Sequence, residues 1–540
     1  MILFCLFCIV PTIAEAVDYW APWVTKTTTN SATINWRGEC DGSGSIDYAT
    51  SDYYNHDQTF EKTITSQTTA RYQHVQLTGL EPNTSYIYKV KPSGDEDAFS
   101  NRTFRTMPVS GPFTFIVISD SQEGHNYTEE KRFKYVADAI AKEPDVLFIL
   151  HGGDYARKDD ESLWTIFFQV ADGMLAKSAI FPTIGNHEYH NPNGESYPPT
   201  AADHYRWAFN MPLNYYSFDC AGIRFISLDS PDPNNAHGDD PHTSPSLAQS
   251  QETWLRDQLD NTMSGTFTIH HHPIWEDGRT TINSDLEPWE DLYHRYHISA
   301  NFAGHAHTYQ RFLVEGVVGV MGIPYFIVGN AGGPFVDLTD TKPVWYQFGT
   351  TRRLGYLKVF VDPANNTATA QSVIVAYVNE NDSNETPTVY DPPVIDETVT
   401  FPLSVKPSVI EPGGSGGSGG GCFIATVAFG SYFDPSVKIL RDFRDTFLFT
   451  NHVGQSFVNW YYKVSPPIAD FIRTKAIMKT VVRIILLPAV GFAYLCLKVG
   501  VLPTLLVLLF SAAVIYLGIR RFIIKAFREW CAQKQPSGLT

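Results

Sequence analysis

The chain has 540 residues, too many for one hydrophobic core, so two or three folded units with extensions are expected. Its net charge of −17 is unevenly spread: residues 422–540 hold 14 Lys/Arg against 5 Asp/Glu, net +9, which leaves −26 for residues 1–421. An acidic body repels nucleic acid, so no nucleic-acid partner is expected, whereas a basic tail beside apolar runs suits an anionic membrane surface.

In chain order, the apolar opening that ends in Ala14-Glu15-Ala16 predicts a secretory signal over residues 1–16 and hence an exported protein. Cys40, Cys220, Cys422, Cys496 and Cys531 follow without any short repeated spacing, which argues against a zinc-thiolate site and a disulfide scaffold and leaves a Cys40–Cys220 pair open. Residues 17–108 alternate as short strands, for example Ala32–Trp36 and Tyr86–Val90, and predict a β-sandwich. Leu80-Glu81-Pro82-Asn83-Thr84-Ser85-Tyr86 supplies the turn and ring of a tyrosine corner. With a buried Trp36, the segment resembles a fibronectin type III module.

Residues 109–405 change pattern. Apolar strands at Phe113–Ser119, Val146–Leu150 and Phe225–Leu228 alternate with amphipathic helices, one opened by Ser244-Pro245 and carrying Leu247, Trp254, Leu255 and Leu259 on one face. This is α/β architecture, and strand stretches at Tyr325–Val328 and Leu357–Val361 predict a second sheet packed on the first. A Gly/Ser linker over 406–421 follows. Beyond it, Val499–Ile519 is long enough to span a bilayer, and Ile484–Leu497, shorter and carrying Pro488, reads as an interfacial segment. Arg520, Arg521, Lys525 and Arg528 on the inner side demand an odd number of spans, for which one is chosen over a two-span hairpin.

Five polar clusters fall at strand ends, where an open α/β sheet gathers ligands. They are Ser119-Asp120-Ser121-Gln122, Gly152-Gly153-Asp154, Gly185-Asn186-His187-Glu188, His270-His271-His272-Pro273 and Gly304-His305-Ala306-His307. Singly, an aspartate there is a helix cap and a histidine is packing. Together they make the oxygen and nitrogen donor set of divalent or trivalent cations, without a thiolate.

In this order the clusters resemble the calcineurin-like metallophosphoesterases, and within them the purple-acid-phosphatase-like branch, over roughly residues 20–400. The resemblance implies two metal ions, iron, zinc or manganese, bridged by Asp154. One ion would take Asp120 and His307, the other Asn186, His271 and His305. It implies His187 as the non-ligand histidine that donates to the phosphate or protonates the leaving oxygen, with orientation of Asp120 or Asn186 as the other reading. Where the purple branch has a tyrosine three residues after the bridging aspartate, this chain has Arg157, and Tyr155 points elsewhere. Gln122 is then either a substitute ligand or a loop hydrogen-bond donor. Arg157 is a substrate contact or a salt-bridge partner, and His272 is a second candidate substrate contact. The loop Gly329-Asn330-Ala331-Gly332-Gly333-Pro334 resembles a structural glycine-rich loop of the branch. Two cations about 3.5–4 Å apart acidify a bridging water and grip both oxygens of an in-line displacement.

Residues 422–475, opening with Cys422-Phe423-Ile424-Ala425-Thr426, resemble the bacterial domain named for its CFI box, which implies sorting or processing machinery as a partner. The expectation from sequence is thus a β-sandwich, an α/β metallophosphoesterase domain of two mixed sheets, and a helical membrane-associated tail over 476–540. Its expected task is hydrolysis of a small phosphate monoester outside the cytoplasm, with phosphodiesterase action or non-catalytic surface binding as alternatives.

Overall fold

The computed structural model describes residues 20–403 apart from 93–98, 100, 123–130, 191–201, 212, 231–244, 260–262, 280–281, 284, 315–321 and 380–385, and beyond 422 chiefly 423–429, 435–448 and 475–501. The predicted signal, the Gly/Ser linker, Cys422, and most of the stretches 191–205 and 231–243, which are expected from sequence to be loops that shape specificity, lie outside the described residues. The chain divides into two units, residues 1–314 with 323–406, and 315–322 with 407–540.

The first unit begins with seven strands in two antiparallel sheets. One is β1 (Trp20–Thr25), β2 (Ser31–Gly42) and β5 (Ala70–Thr78); the other is β4 (Lys62–Thr65), β3 (Ser45–Thr50), β6 (Ser85–Lys91) and β7 (Arg102–Arg105). Alternation decides the layers: Ile34, Trp36, Ile46, Tyr88 and Val90 point inward and are essentially unexposed. The tyrosine corner is present, with the Tyr86 hydroxyl accepting from Glu81 N at 2.9 Å. Cys40 and Cys220 are both free thiols.

Two mixed sheets then stack face to face, as the sequence pattern predicts. The first runs β10 (Ala179–Pro182), β9 (Val146–His151), β8 (Phe113–Ile118), β18 (Arg353–Asp362), β19 (Thr367–Val378) and β20 (Pro387–Pro402), parallel as far as β8 and antiparallel beyond. The second runs β11 (Tyr216–Cys220), β12 (Ile223–Ser227), β13 (Gly265–Ile269), β14 (Ala300–Ala303), β16 (Ile323–Val328), β15 (Tyr309–Val314) and β17 (Tyr346–Thr350), with β12, β13, β14 and β16 parallel. Between them lies a lattice of phenylalanines, among which Phe115 stacks on Phe148 at 5.3 Å and meets Phe225, Phe267 and Phe302 edge-on. Edge-to-face rings fill a flat interlayer without a polar atom, so both sheets are held rigid. Helices α2 (Lys131–Ile140) and α3 (Glu161–Leu175) cover the first sheet, and α5 (Pro245–Leu259) and α6 (Glu287–Tyr296) the second. Leu255 and Leu259 of α5 are buried, as its spacing predicts, and α5 starts at Pro245.

The sandwich and the α/β layers share a seam along α3. Trp20 and Trp23 of β1 pack on Phe168 at 4.5 and 4.2 Å, and the Trp20 indole donates to Thr165 Oγ1. Arg37, unexposed, gives both Nε and Nη2 to Glu161 Oε1, which also accepts from the Tyr72 hydroxyl and pairs with Arg71 at 3.0 Å. A guanidinium without water is stable only when so paired.

In the second unit, α7 (Phe423–Phe429) and α8 (Pro435–Phe443) meet α9 (Ala476–Val499) through Ala425, Val437 and Leu486. The tail departs from the sequence reading at one place. The stretch 484–497, read as a short interfacial segment, lies within a 24-residue helix, Ala476–Val499, that continues through Pro488. Lys479 and Arg483 are good helix formers and extend it toward the N-terminus. Within it Met478–Val499, of mean hydropathy 2.1, is long and apolar enough to cross a bilayer. Most of the segment chosen as the span, Val499–Ile519, lies outside the described residues.

Candidate metal centre

All five polar clusters sit at the carboxyl ends of their strands. Asp120 follows β8, Asp154 follows β9, Asn186 follows β10, His271 follows β13, and His305 and His307 follow β14. Asp120, Asp154 and His305 take left-handed backbone angles, φ +58, +59 and +69. Asp and His tolerate that region better than β-branched residues, and such strain gathers at functional sites. Gly153 at φ +98 lets the Asp154 loop turn against Gly185, and a Cβ at Gly304 would run into the Asp120 carboxylate.

The side chains converge in two groups. In the first, Asn186 Oδ1 lies 2.9 Å from His271 Nε2 and 3.1 Å from His305 Nδ1, and His271 Nε2 lies 3.2 Å from Asp154 Oδ2. In the second, His307 Nε2 lies 3.3 Å from Asp120 Oδ1 and 3.3 Å from the Gln122 amide nitrogen, which donates to Asp154 Oδ2 at 3.0 Å. Asp154 therefore touches both groups. Potential ligand atoms of Asp120, Asp154 and His271 all lie within 4.8 Å of one another, so this cluster can hold a metal ion.

Proton bookkeeping supports that fit. His271 Nδ1 faces Gly152 O at 2.8 Å and His307 Nδ1 faces Pro334 O at 2.6 Å, so both N–H groups are committed to backbone carbonyls. Each ring then aims the lone pair of Nε2 at carboxylate or amide oxygens, an arrangement that needs a cation or a proton between them. A proton serves in the metal-free chain: burial opposes charge on His271, but the Asp154 carboxylate beside it prevails and pushes it up to about 10. Burial likewise opposes the charged form of Asp154, which His271 and His187 hold well below the usual carboxylate range. Burial and the His271 charge depress His305 to about 4. Gln122 Oε1 is buried without a hydrogen-bond partner, and a flip of its amide would exchange the oxygen with the nitrogen now facing Asp154 and His307.

His187 sits at the edge of this cluster. Its backbone N–H donates to Asp154 Oδ1, its Nδ1–H to Arg157 O at 2.7 Å, and its Nε2 stands 3.9 Å from Asp154 Oδ2 with the ring 27% exposed. Arg157 contributes that carbonyl and is half-buried. His272 is buried, with Nδ1 on Ser230 Oγ at 3.0 Å and its ring 4.5 Å from His305. His270 faces the other way, toward Asn301. The glycine-rich loop is structural here: Gly333 N donates to Asp120 O and Pro334 O holds His307.

Two residues to which the sequence reading gave no role matter here. Glu188, unexposed, accepts from Asp154 N at 2.9 Å, Tyr155 N at 2.8 Å and Gly185 N at 2.8 Å, fastening the Asp154 loop to the Asn186 loop. Burial and the Asp154 charge push its carboxyl up to about 8. His151, also unexposed, touches Ser121 and Gly153, and burial pushes its ring down to about 3, so it stays neutral. A titratable residue that closes an otherwise apolar strand marks His151 alone; Glu188 lies in the turn His187–Tyr189, outside any strand.

Tyr155 packs among Trp164, Phe167 and Phe209, and its hydroxyl donates to His151 O at 3.4 Å, with the Thr183 backbone also in reach. An iron-loaded chain is therefore expected to lack a visible tyrosinate absorption band. Tyr155→Phe is expected to retain the wild-type metal content at a cost of about 1 kcal/mol in chemical denaturation.

Residues 113–309 match the calcineurin-like phosphoesterase family, and residues 20–106 match the purple acid phosphatase N-terminal domain. The chain is similar to purple acid phosphatase 21 of Arabidopsis thaliana, 27% identical over 312 residues that cover 52% of this chain and 65% of that one. Purple acid phosphatase 15 of the same plant is 22% identical over 298 residues, covering 48% of this chain and 53% of that one. The chain thus spans between about half and two thirds of these relatives. The structure of purple acid phosphatase PPD1 from yellow lupin (Lupinus luteus) superposes with a TM-score of 0.53 at 14% identity, covering 73% of this chain and 78% of that one, which shows the shared fold. The chain therefore carries a calcineurin-like phosphoesterase domain behind a purple acid phosphatase N-terminal domain.

Proposed function

We propose that the protein is a metal-dependent phosphoric ester hydrolase acting on small phosphate monoesters, exported and tethered to a membrane through its tail. The observation that carries this reading is the double cluster joined by Asp154: Asn186, His271 and His305 on one side, Asp120, His307 and Gln122 on the other. When bound there, two cations supply Lewis acidity and a nucleophilic water at neutral pH. Asp154, which contacts both groups, would hold both ions, and the backbone carbonyls of Gly152 and Pro334 keep the two imidazoles in the tautomer that presents Nε2. His187, oriented by Arg157 O, presents its partly exposed Nε2 to the phosphate; as the imidazolium it hands the Nε2 proton to the leaving oxygen and is left as the neutral Nδ1–H ring. Arg157 and His272 are the candidate substrate contacts. Met478–Val499 supports the tether, and the segment after the Gly/Ser linker is the surface on which sorting machinery would act.

Metal analysis of the purified protein, with turnover of an aryl phosphate monoester against its bis-aryl diester, tests this. Two ions per chain and a monoester rate at least about tenfold faster are expected, a preference worth about 1.4 kcal/mol. Faster diester turnover would assign a phosphodiesterase. Ion retention without turnover of either ester would leave a binding protein and overturn the hydrolase.

A further inference from the structure

β9 ends on a histidine to which ester hydrolysis gives no task. His151 is unexposed, and its two ring nitrogens face opposite loops. Gly153 N donates to Nδ1 at 3.3 Å, which leaves the ring proton on Nε2, and that N–H donates to Ser121 Oγ at 2.9 Å. Gly153 precedes Asp154 and Ser121 follows Asp120, so a single imidazole touches the neighbours of both carboxylates. Main-chain bonds run alongside it, from Asp120 N to Gly153 O and from Gln122 N to Asp154 O.

The ring has no room to move. It lies flat on Tyr155 at 3.8 Å and 17°, Tyr155 lies flat on Trp164 at 5.3 Å and 19°, and Trp164 lies parallel to Trp20 of the sandwich at 6.4 Å and 24°. Phe167 stands edge-on to both His151 and Tyr155, and the Arg37 guanidinium closes the far end over Trp20 at 5.3 Å. All four stacked rings are 2% exposed or less. Tilting one requires displacing the next, because a close-packed interior holds no spare volume.

We propose that His151 is a positioning residue that fixes the separation of Asp120 and Asp154, held in place by an aromatic column rooted in the N-terminal sandwich. The inference rests on the metal-dependent reading of the site. Since neither ring nitrogen faces the ligand cluster, the brace is present before a cation arrives. It lowers the cost of ordering two like charges side by side.

His151→Phe keeps a ring in the column and removes both hydrogen bonds. Titration of the metal-free protein with Mn²⁺ is expected to show affinity about 10–100-fold weaker than wild type, the range typical of lost outer-sphere support. The turnover number should fall with the ion while KM stays within about twofold, because no substrate contact is lost. His151→Asn returns an acceptor for Gly153 N and an amide donor toward Ser121, and should recover part of the affinity. Ile34→Ala, a cavity in the sandwich core, should lower the melting temperature and leave Mn²⁺ affinity unchanged. Hydrogen exchange of residues 151–156 in the metal-free protein should be faster in His151→Phe than in wild type. Wild-type Mn²⁺ affinity and exchange in His151→Phe would overturn the proposal, as would an equal affinity loss in Ile34→Ala. A wild-type protein that binds no Mn²⁺ would sink the metal reading alone, because the exchange comparison still decides whether the brace exists.

Discussion

Asp154→Asn is expected to lower turnover of a phosphate monoester by at least about 10³-fold and to leave fewer than two ions per chain. The side chain meets His271 Nε2 at 3.2 Å, the Gln122 amide at 3.0 Å and His187 N at 3.0 Å, so it contacts both clusters. An amide of the same shape accepts from His187 N but carries no charge to share between two cations. The metal-free variant should also melt below the wild-type temperature, since the carboxylate that is held ionised by His271 and His187, and that holds the His271 charge in return, is gone. Added Mn²⁺ should raise the wild-type melting temperature and leave the variant's unchanged, as binding to the folded state alone stabilises it by mass action. Differential scanning calorimetry with and without the ion reads both effects. A variant that keeps two ions and near-wild-type turnover would remove the bridge from the assignment.

Glu188→Gln should likewise destabilise the protein without metal, but through backbone hydrogen bonds. Three backbone N–H groups converge on the two carboxylate oxygens, and glutamine offers one oxygen to them while turning an NH₂ toward the rest. A buried donor left unmet costs its full desolvation, so a loss of about 1–3 kcal/mol is expected in urea denaturation. Mn²⁺ affinity should fall as well, because the loops that carry Asp154 and Asn186 lose their common anchor. Glu143→Gln provides the contrast: Glu143 pairs with Tyr356 and Lys358 on β18, so its loss should cost stability and leave the ion alone. Equal effects of the two variants on Mn²⁺ affinity would show that Glu188 acts only through global stability.

These pairs show what spacing could and could not tell. The six side chains that the structure gathers, Asp120, Asp154, Asn186, His271, His305 and His307, were legible because each follows an apolar strand, and strand ends of an open sheet point at one another. The turning away of Tyr155 was legible for the same reason, since adjacent residues at a strand end face opposite sides. Glu188 and His151 were not, because they act on backbone N–H groups and hydroxyls of neighbouring loops, and loop conformation leaves no period in the sequence. The two sheets were readable from alternation, but the seam was not: Trp20 and Trp23 read as sandwich residues, while their rings belong to the cluster around α3. In the tail, hydropathy alone cut the apolar stretch at Arg483, where helix propensity carries the backbone on through Lys479.

That shared cluster has a consequence for how the protein could have been assembled over time. A polypeptide beginning at Phe113 would present Trp164 and Phe168 to water, strip Glu161 of its cationic partners, and leave a sticky aromatic face in place of a wall. The N-terminal module is therefore no interchangeable ornament. Inheritance of the pair has to be joint, and heating should melt residues 20–403 in one calorimetric step instead of two.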